Sequence, residues 1–182
     1  MISTRINKPS SADLLEANLA RLQARMPDAP LTGILLTRLI IQLGRDLVSM
    51  LEHQIRPFGL VEAEFRVLTT LYAQPDGSGH PGDLCVRAAQ SPANMSRIAD
   101  ALAERGLITR VLSAQDRRRM VLRITGSGED LVRTLLPTLW EPLRELLSGF
   151  PEGEQRALSE QLKRLGATLE DVVMHPSLER EP

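Results

Sequence analysis

Residues 113–119 read SAQDRRR, so Arg117, Arg118 and Arg119 follow Asp116 in an unbroken run between two short apolar stretches, 107–112 and 120–124. A guanidinium is a planar fork that meets phosphate oxygens or a base edge through two parallel hydrogen bonds, and a cluster of them is suited to a polyanion. The clustering extends beyond the triplet. Between residues 87 and 123 lie eight arginines and three acids, a local net charge of +5 in a chain whose total is −1. The rest of the sequence therefore carries −6. A basic middle in an acidic chain is the electrostatic footprint expected of nucleic-acid binding; a solvated charged face is the bland alternative. Arginine supplies 20 of the 22 cations, a bias that also follows from a GC-rich genome.

A second group precedes the triplet. Ser91-Pro92 is a helix start, a serine N-cap followed by proline at the first helical position, and the segment SPANMSRIADALAERG continues with helical spacing. Near its beginning, on the side away from Met95, Ile98 and Leu102, stand Ala93, Asn94, Ser96 and Arg97. Asparagine can read adenine and arginine guanine in bidentate fashion, while Ser91 and Ser96 suit phosphates. The competing reading leaves Asn94 and Arg97 as ordinary surface residues.

Other reactive side chains point to no chemistry. His53, His80 and His175 are too scattered for a metal-ligand spacing, and no acidic pair or Ser/His/Asp order stands out. No metal, cofactor or catalytic residue is expected. Cys85, the one cysteine, reads as a small buried hydrophobe in a short apolar helix; redox sensing would need an exposed thiolate of low pKa. Gly77, Gly79 and Gly82 form G-x-G-x-x-G, but the preceding segment is helical and Pro81 removes an amide that a phosphate cradle would need.

Positioning these groups requires a helical frame. Residues 11–26 place Leu15, Leu19, Leu22 and Met26 on one face of a short helix ended by Pro27 and Pro30. From 31 to 56 an aliphatic stripe continues without proline, and Ile34, Ile41 and Met50 make it apolar on more than one side. This predicts a helix buried against its own domain and a partner chain. A helix over 62–73, a loop over 74–82 and a short helix over 83–89 lead to the capped helix, which Gly106 ends. The two apolar stretches around SAQDRRR read as a β-hairpin with a cationic tip. Gly126 and Gly128 break the chain before a helix from about 129 that Pro137 and Pro142 should bend or interrupt. A last helix spans 152–173, and the tail reads as disordered. Aromatic content of 3% demands an aliphatic core, which favours helices. The single cysteine excludes a disulfide scaffold, the first residues lack the apolar stretch of a signal peptide, and no apolar run is long enough for a membrane span. A cytoplasmic protein with no membrane partner is expected.

Helix, short helix, turn, capped helix and Arg-tipped hairpin together describe a winged helix-turn-helix: mainly α with a small β-hairpin wing, the capped helix entering the major groove N-terminus first. The stretch ALAERGLITRVLSAQDRRRMVLRITGSGEDLV is similar to the wing region of the MarR (multiple antibiotic resistance regulator) family, whose hallmark is an Asp-x-Arg wing followed by Leu-Thr and Gly. Asp116, Arg118, Ile124-Thr125 and Gly128 match it here. GILLTRL followed by SRIADALAERG looks most like the EmrR/MprA type of multidrug efflux repressor. A urate-responsive subgroup also has an extra N-terminal helix, but its Trp and Asp positions are Leu22 and Arg66 here.

The resemblance implies an obligate homodimer whose terminal helices intertwine, a pseudo-palindromic operator in double-stranded DNA, Arg118 in the minor groove, and Asp116 orienting that arginine. It further implies four parts: a 1–30 extension, an α-helical dimerisation domain from 31–57 and 126–175, a DNA-binding domain over 58–125, and a 176–182 tail. A small lipophilic or aromatic effector would lodge between dimerisation helices and DNA-binding lobe, against Leu43, Leu47, Met50, His53, Phe65 and Arg66. The resulting expectation is a ligand-responsive repressor, without enzymatic activity, of efflux or stress-response genes. The rival is a winged helical interaction module that does not bind DNA.

Overall fold

The computed structural model describes residues 11–112 and 120–174, so the SAQDRRR tip and both chain ends lie outside the described residues. Helix α1 (Ser11–Arg25) is followed by α2 (Leu31–Ile55), a 3₁₀ turn (Arg56–Phe58), α3 (Glu62–Tyr72), strand β1 (Ser78–Gly79), α4 (Pro81–Arg87), α5 (Pro92–Glu104), β2 (Ile108–Leu112), β3 (Met120–Ile124), α6 (Gly126–Leu146) and α7 (Glu152–Met174). The fold is mainly α with a small antiparallel sheet of order β1-β3-β2. The chain divides into two compact units, one up to Val132 and one from Arg133.

In the first unit α3, α4 and α5 enclose an aliphatic core. Val67, Leu68, Leu71, Leu84, Ala88, Met95, Ile98, Ala99 and Leu102 are all buried, joined by Ile108, Leu122 and Ile124 from the sheet. Removing a leucine-sized side chain from water stabilises by about 1.5–3 kcal/mol, so this set fixes how α5 and the hairpin sit on α3. β2 and β3 pair in register from Ile108↔Ile124 to Leu112↔Met120. In the second unit α7 keeps Leu158, Leu162, Leu165 and Leu169 exposed at 45–60%.

Several local readings change. The 74–82 segment is not all loop, because Ser78 and Gly79 pair with Arg123 and Leu122 of β3. Gly77 makes this possible. It turns at φ 64° with its Cβ position 2.8 Å from Ile124 Cγ2, and its carbonyl accepts from Ile124 N at 2.9 Å. Two of the three glycines in the G-x-G-x-x-G pattern thus serve a turn and a strand. Gly126 and Gly128 do not precede α6 but begin it. Thr125 supplies its N-cap: the hydroxyl accepts from Gly128 N at 3.1 Å and donates to Gly106 O at 2.7 Å. A Cβ at Gly128 would stand 2.2 Å from Leu107 O, so glycine is there for close approach. α6 also runs unbroken through Pro137 and Pro142. Each proline removes one amide donor, yet the helix continues from Gly126 to Leu146.

Candidate nucleic-acid interface

The segment that would meet DNA is α5, and its N-terminus is built as the serine-proline signal predicts. Ser91 Oγ accepts from Asn94 N at 3.2 Å, and Pro92 occupies the first turn. The turn leading into it is tight. Gln90 N closes on Cys85 O at 2.8 Å while Ala89 takes φ 49°, a left-handed conformation that a residue with a Cβ adopts at a cost. Met95, Ile98, Ala99 and Leu102 are buried, which leaves Ala93, Ser96 and Arg97 outward. Arg97 is exposed, with no hydrogen bond or ion pair to any described residue, so its guanidinium is available. Asn94 and Ser96 are differently placed: Asn94 Nδ2 donates to Gln90 Oε1 at 2.6 Å, and Ser96 Oγ donates to Pro92 O at 3.2 Å. Asn94 keeps its second Nδ2 hydrogen and its Oδ1 for a base edge, whereas Ser96 would have to exchange its one hydroxyl donor for a bond to phosphate.

The arginine cluster is not one population. Arg105, at the C-terminus of α5, forks onto the turn that follows α2: Nη1 donates to Gly59 O at 2.8 Å and Nη2 to Phe58 O at 3.0 Å. Glu64 lies 3.5 Å from the same guanidinium and also accepts from Val61 N at 3.3 Å. Gly59 takes φ 68°, a left-handed conformation that favours glycine, and so turns its carbonyl and that of Phe58 toward the fork. Arg110 of β2 pairs with Asp100 of α5 and lies 3.5 Å from Ser96 O. Both are therefore internal staples that hold α5. Charge counting could not separate them from Arg97, because the acceptors they reach lie far along the chain and only the fold brings them near. Arg87 and Arg123 are exposed and without hydrogen bonds or ion pairs to described residues. Asp116, Arg117, Arg118 and Arg119 lie outside the described residues.

One carboxylate stands out electrostatically. Asp76 Oδ2 accepts from Ser78 Oγ at 2.5 Å and Oδ1 from Ser78 N at 3.2 Å. These bonds, with a smaller contribution from the nearby Arg123 charge, hold its pKa below the usual carboxylate value.

The six residues expected to line an effector cleft are spread over α2 and α3. Leu43 and Leu47 are 57% and 44% exposed, Met50 and Phe65 half-buried, and His53 exposed. Arg66 is half-buried and ion-paired to Glu62 one turn before it. Leu43 also lines a groove between α1 and α2 with Leu14, Leu39 and Ile41. Cys85 is half-buried beside Met95 and Met120 in a second groove. Among the described residues no cluster of three or more His, Cys, Asp or Glu is arranged to hold a metal, and no helix is long and apolar enough to cross a membrane.

Comparison with known proteins gives this arrangement a context. The MarR family profile matches residues 58–119. The transcriptional repressor MprA of Escherichia coli K12 is 32% identical over 163 residues, 90% of this chain and 93% of that protein. Among solved structures, AbsC, a MarR family transcriptional regulator from Streptomyces coelicolor, superposes with a TM-score of 0.71 at 22% identity, covering 77% of this chain and 95% of that one. MepR of S. aureus, solved as a DNA complex, gives 0.67 at 21% identity, covering 73% and 95%.

Proposed function

The chain belongs to the MarR family of transcriptional regulators, and we propose that it is a homodimeric repressor that binds a pseudo-palindromic operator and releases it on binding a small lipophilic or aromatic effector. The observation that carries this reading is α5, a helix capped by Ser91 at its N-terminus with Arg97 exposed and uncommitted beside it. Such an end offers the Ala93 amide and a favourable dipole to phosphate while its outward side chains reach base edges. The repressor MprA and the DNA-bound MepR are relatives whose functions agree with it.

In this mechanism Arg97 reads base edges in the major groove, with Ala93, Asn94 and Ser96 beside it. The wing arginines Arg117, Arg118 and Arg119 supply minor-groove and phosphate contacts, and Asp116 orients Arg118. The staples from Arg105 and Arg110 keep α5 at a fixed angle to α2 and β2, so the spacing of two recognition helices follows the spacing of two lobes. An effector seated against Leu43, Leu47, Met50, His53, Phe65 and Arg66 acts only through unequal affinity for the two spacings. The regulated genes are efflux or stress-response genes, the site of action is the cytoplasm, and the dimerisation domain comprises 31–57 and 126–175.

The test is binding of the full chain to promoter DNA from its own locus across a salt series, with and without a panel of lipophilic compounds. Log affinity should fall linearly with log salt, and a compound that raises the melting temperature should also release DNA. Salt-insensitive or absent binding would leave the protein as a non-DNA-binding interaction module.

A further inference from the structure

The turn between α4 and α5 is closed by its backbone, and one of its side chains reaches forward onto α5. Gln90 N donates to Cys85 O at 2.8 Å and Ala89 N to Val86 O at 3.2 Å, the paired bonds of a Schellman motif with Ala89 in its left-handed position. The Gln90 side chain then spans the turn: Nε2 donates to Ala88 O at 3.1 Å, and Oε1 accepts from Asn94 Nδ2 at 2.6 Å. We infer that Gln90 is a positioning residue for sequence readout, fixing the Asn94 carboxamide so that it selects adenine over guanine at one base pair of each half-site. This role rests on the DNA-binding function proposed above; the fixed orientation of Asn94 does not.

The orientation follows from what each atom can do. A backbone carbonyl only accepts, so the Gln90 group facing Ala88 O is its amide nitrogen, and Oε1 is the atom left for Asn94. Asn94 must then present Nδ2, because a reversed carboxamide would set two oxygens against each other. Both side chains are half-buried and Ala88 is fully buried, so water competes less for these bonds. What remains of Asn94 is one N–H and Oδ1, a donor beside an acceptor. In the major groove adenine shows an acceptor at N7 and a donor at N6, whereas guanine shows acceptors at both N7 and O6. The held amide meets both adenine atoms and brings Oδ1 against O6 of guanine. Freed from Gln90, it can turn to donate to guanine, and discrimination falls.

The place of Asn94 in α5 makes the side-chain bond decisive. Its backbone amide is already bound by Ser91 Oγ at 3.2 Å, so only its side-chain torsions are left to set, and Gln90 sets them. Arg97 stands one turn further on, exposed and without a hydrogen bond or ion pair to a described residue. Its long guanidinium adapts to the edge it meets, whereas Asn94 is ordered before DNA arrives and loses little rotamer freedom on binding. Gln90 therefore acts on the choice between sequences. Affinity for random DNA, carried by phosphate contacts, does not depend on it.

The experiment uses the full chain, first without DNA. Side-chain amide NMR should find one Asn94 Nδ2 hydrogen shifted downfield by its bond to Gln90, and the shift should vanish in Gln90→Met, which keeps the length and loses both polar atoms. Duplexes that the wild-type chain selects from a random library should carry an adenine in each half-site. Replacing it by guanine, or by 7-deazaadenine, which lacks the N7 acceptor, should weaken binding about fivefold or more. Gln90→Met should cut that penalty to about twofold or less while random-DNA affinity stays within about twofold. Asn94→Ala should do the same, and the double variant should lose no further discrimination. Gln90→Glu also gives up the bond to Ala88 O but keeps an oxygen for Asn94 Nδ2, so it should retain the adenine preference even as its charge weakens all DNA binding. Equal loss of preference in Gln90→Met and Gln90→Glu would mean that Gln90 only braces the turn, and would overturn the inference. An undiminished preference in Gln90→Met, equal weakening on selected and random DNA, or a wild-type chain indifferent to 7-deazaadenine would do so as well. A chain that binds no DNA would overturn the repressor function together with this role, whereas selective DNA binding without these effects overturns the role alone.

Discussion

Arginines of identical chemistry fall in different surroundings within one short stretch of chain, and substitutions should separate the roles proposed for them. Arg105 donates to two backbone carbonyls, so Arg105→Ala should cost about 1–3 kcal/mol of stability in chemical denaturation by leaving those acceptors unpaired. Arg97 makes no hydrogen bond or ion pair to a described residue, and Arg97→Ala should leave stability within about 0.5 kcal/mol while eroding discrimination between operator and random DNA. Arg118→Ala should weaken operator binding by about 1–3 kcal/mol per protomer and lower the salt slope by roughly one unit per lost charge; an unchanged slope would remove Arg118 from the interface. Asp76 offers a check independent of DNA. Its bonds from Ser78 favour the ionised form and hold its pKa below the usual value, so its small stabilising contribution is complete above the ordinary carboxylate pKa and fades as pH falls through the depressed one. A carboxyl-carbon NMR titration should find that low midpoint, and Ser78→Ala should move it back up. An unchanged midpoint in Ser78→Ala would mean the two bonds do not cause the shift.

Two residues of the motif that resembles a family signature, Thr125 and Gly128, are architectural at the level of elements. Thr125 caps α6 and clasps Gly106 at the end of α5, and Gly128 lets α6 start against Leu107 O. Gly128→Ala should therefore destabilise by about 1–3 kcal/mol through overpacking, despite alanine's better helix propensity. Gly126→Ala, whose Cβ would meet nothing within 4 Å, should change thermal stability little; equal effects of the two would refute the close-approach argument. This contrast shows what a sequence can and cannot display. Helix α5 was legible because its cap, its proline and its 3.6-residue apolar spacing are local, and β2 and β3 because their apolar runs flank a polar tip. β1 was not, since two residues of a Gly/Ser segment carry no periodicity and its partner lies far along the chain. The start of α6 was misplaced because glycine as a breaker and glycine as a contact look alike until Leu107 is in view. The cap of α6 by Thr125 could have been suspected from the threonine three residues before Gly128; the Arg105 fork could not, because its acceptors are backbone carbonyls whose place only the fold sets.

For the whole molecule, the apolar surface left on one chain argues for a second copy. On α2 the side chains of Leu36, Ile40, Ile41, Leu43, Leu47 and Val48 are 38–57% exposed, and in the second unit Trp140, Leu143, Leu146 and Phe150 join the α7 leucines in the same condition. Monomers rarely expose contiguous apolar patches beyond a few hundred Å², and aliphatic stripes of this length along two helices call for a matching apolar surface. A closed two-fold pair meets the need with the same residues from each chain. Sedimentation should therefore find a dimer at nanomolar concentration, and Leu165→Glu combined with Leu169→Glu should dissociate or unfold it, since each buries a charge against apolar surface. A folded, monodisperse 20.2 kDa monomer would contradict this. In the proposed repressor the two-fold axis would carry two α5 helices into successive major grooves on one side of the duplex, with half-site centres about 10 base pairs or a multiple apart. Footprinting should show two protected half-sites in inverted orientation, and inserting about five base pairs between them should abolish tight binding, because half a helical turn carries the second half-site to the opposite side. Retained affinity after that insertion, or protection of one half-site by one protomer, would mean that the lobes bind independently, and the coupling of effector to lobe spacing would have nothing to act through.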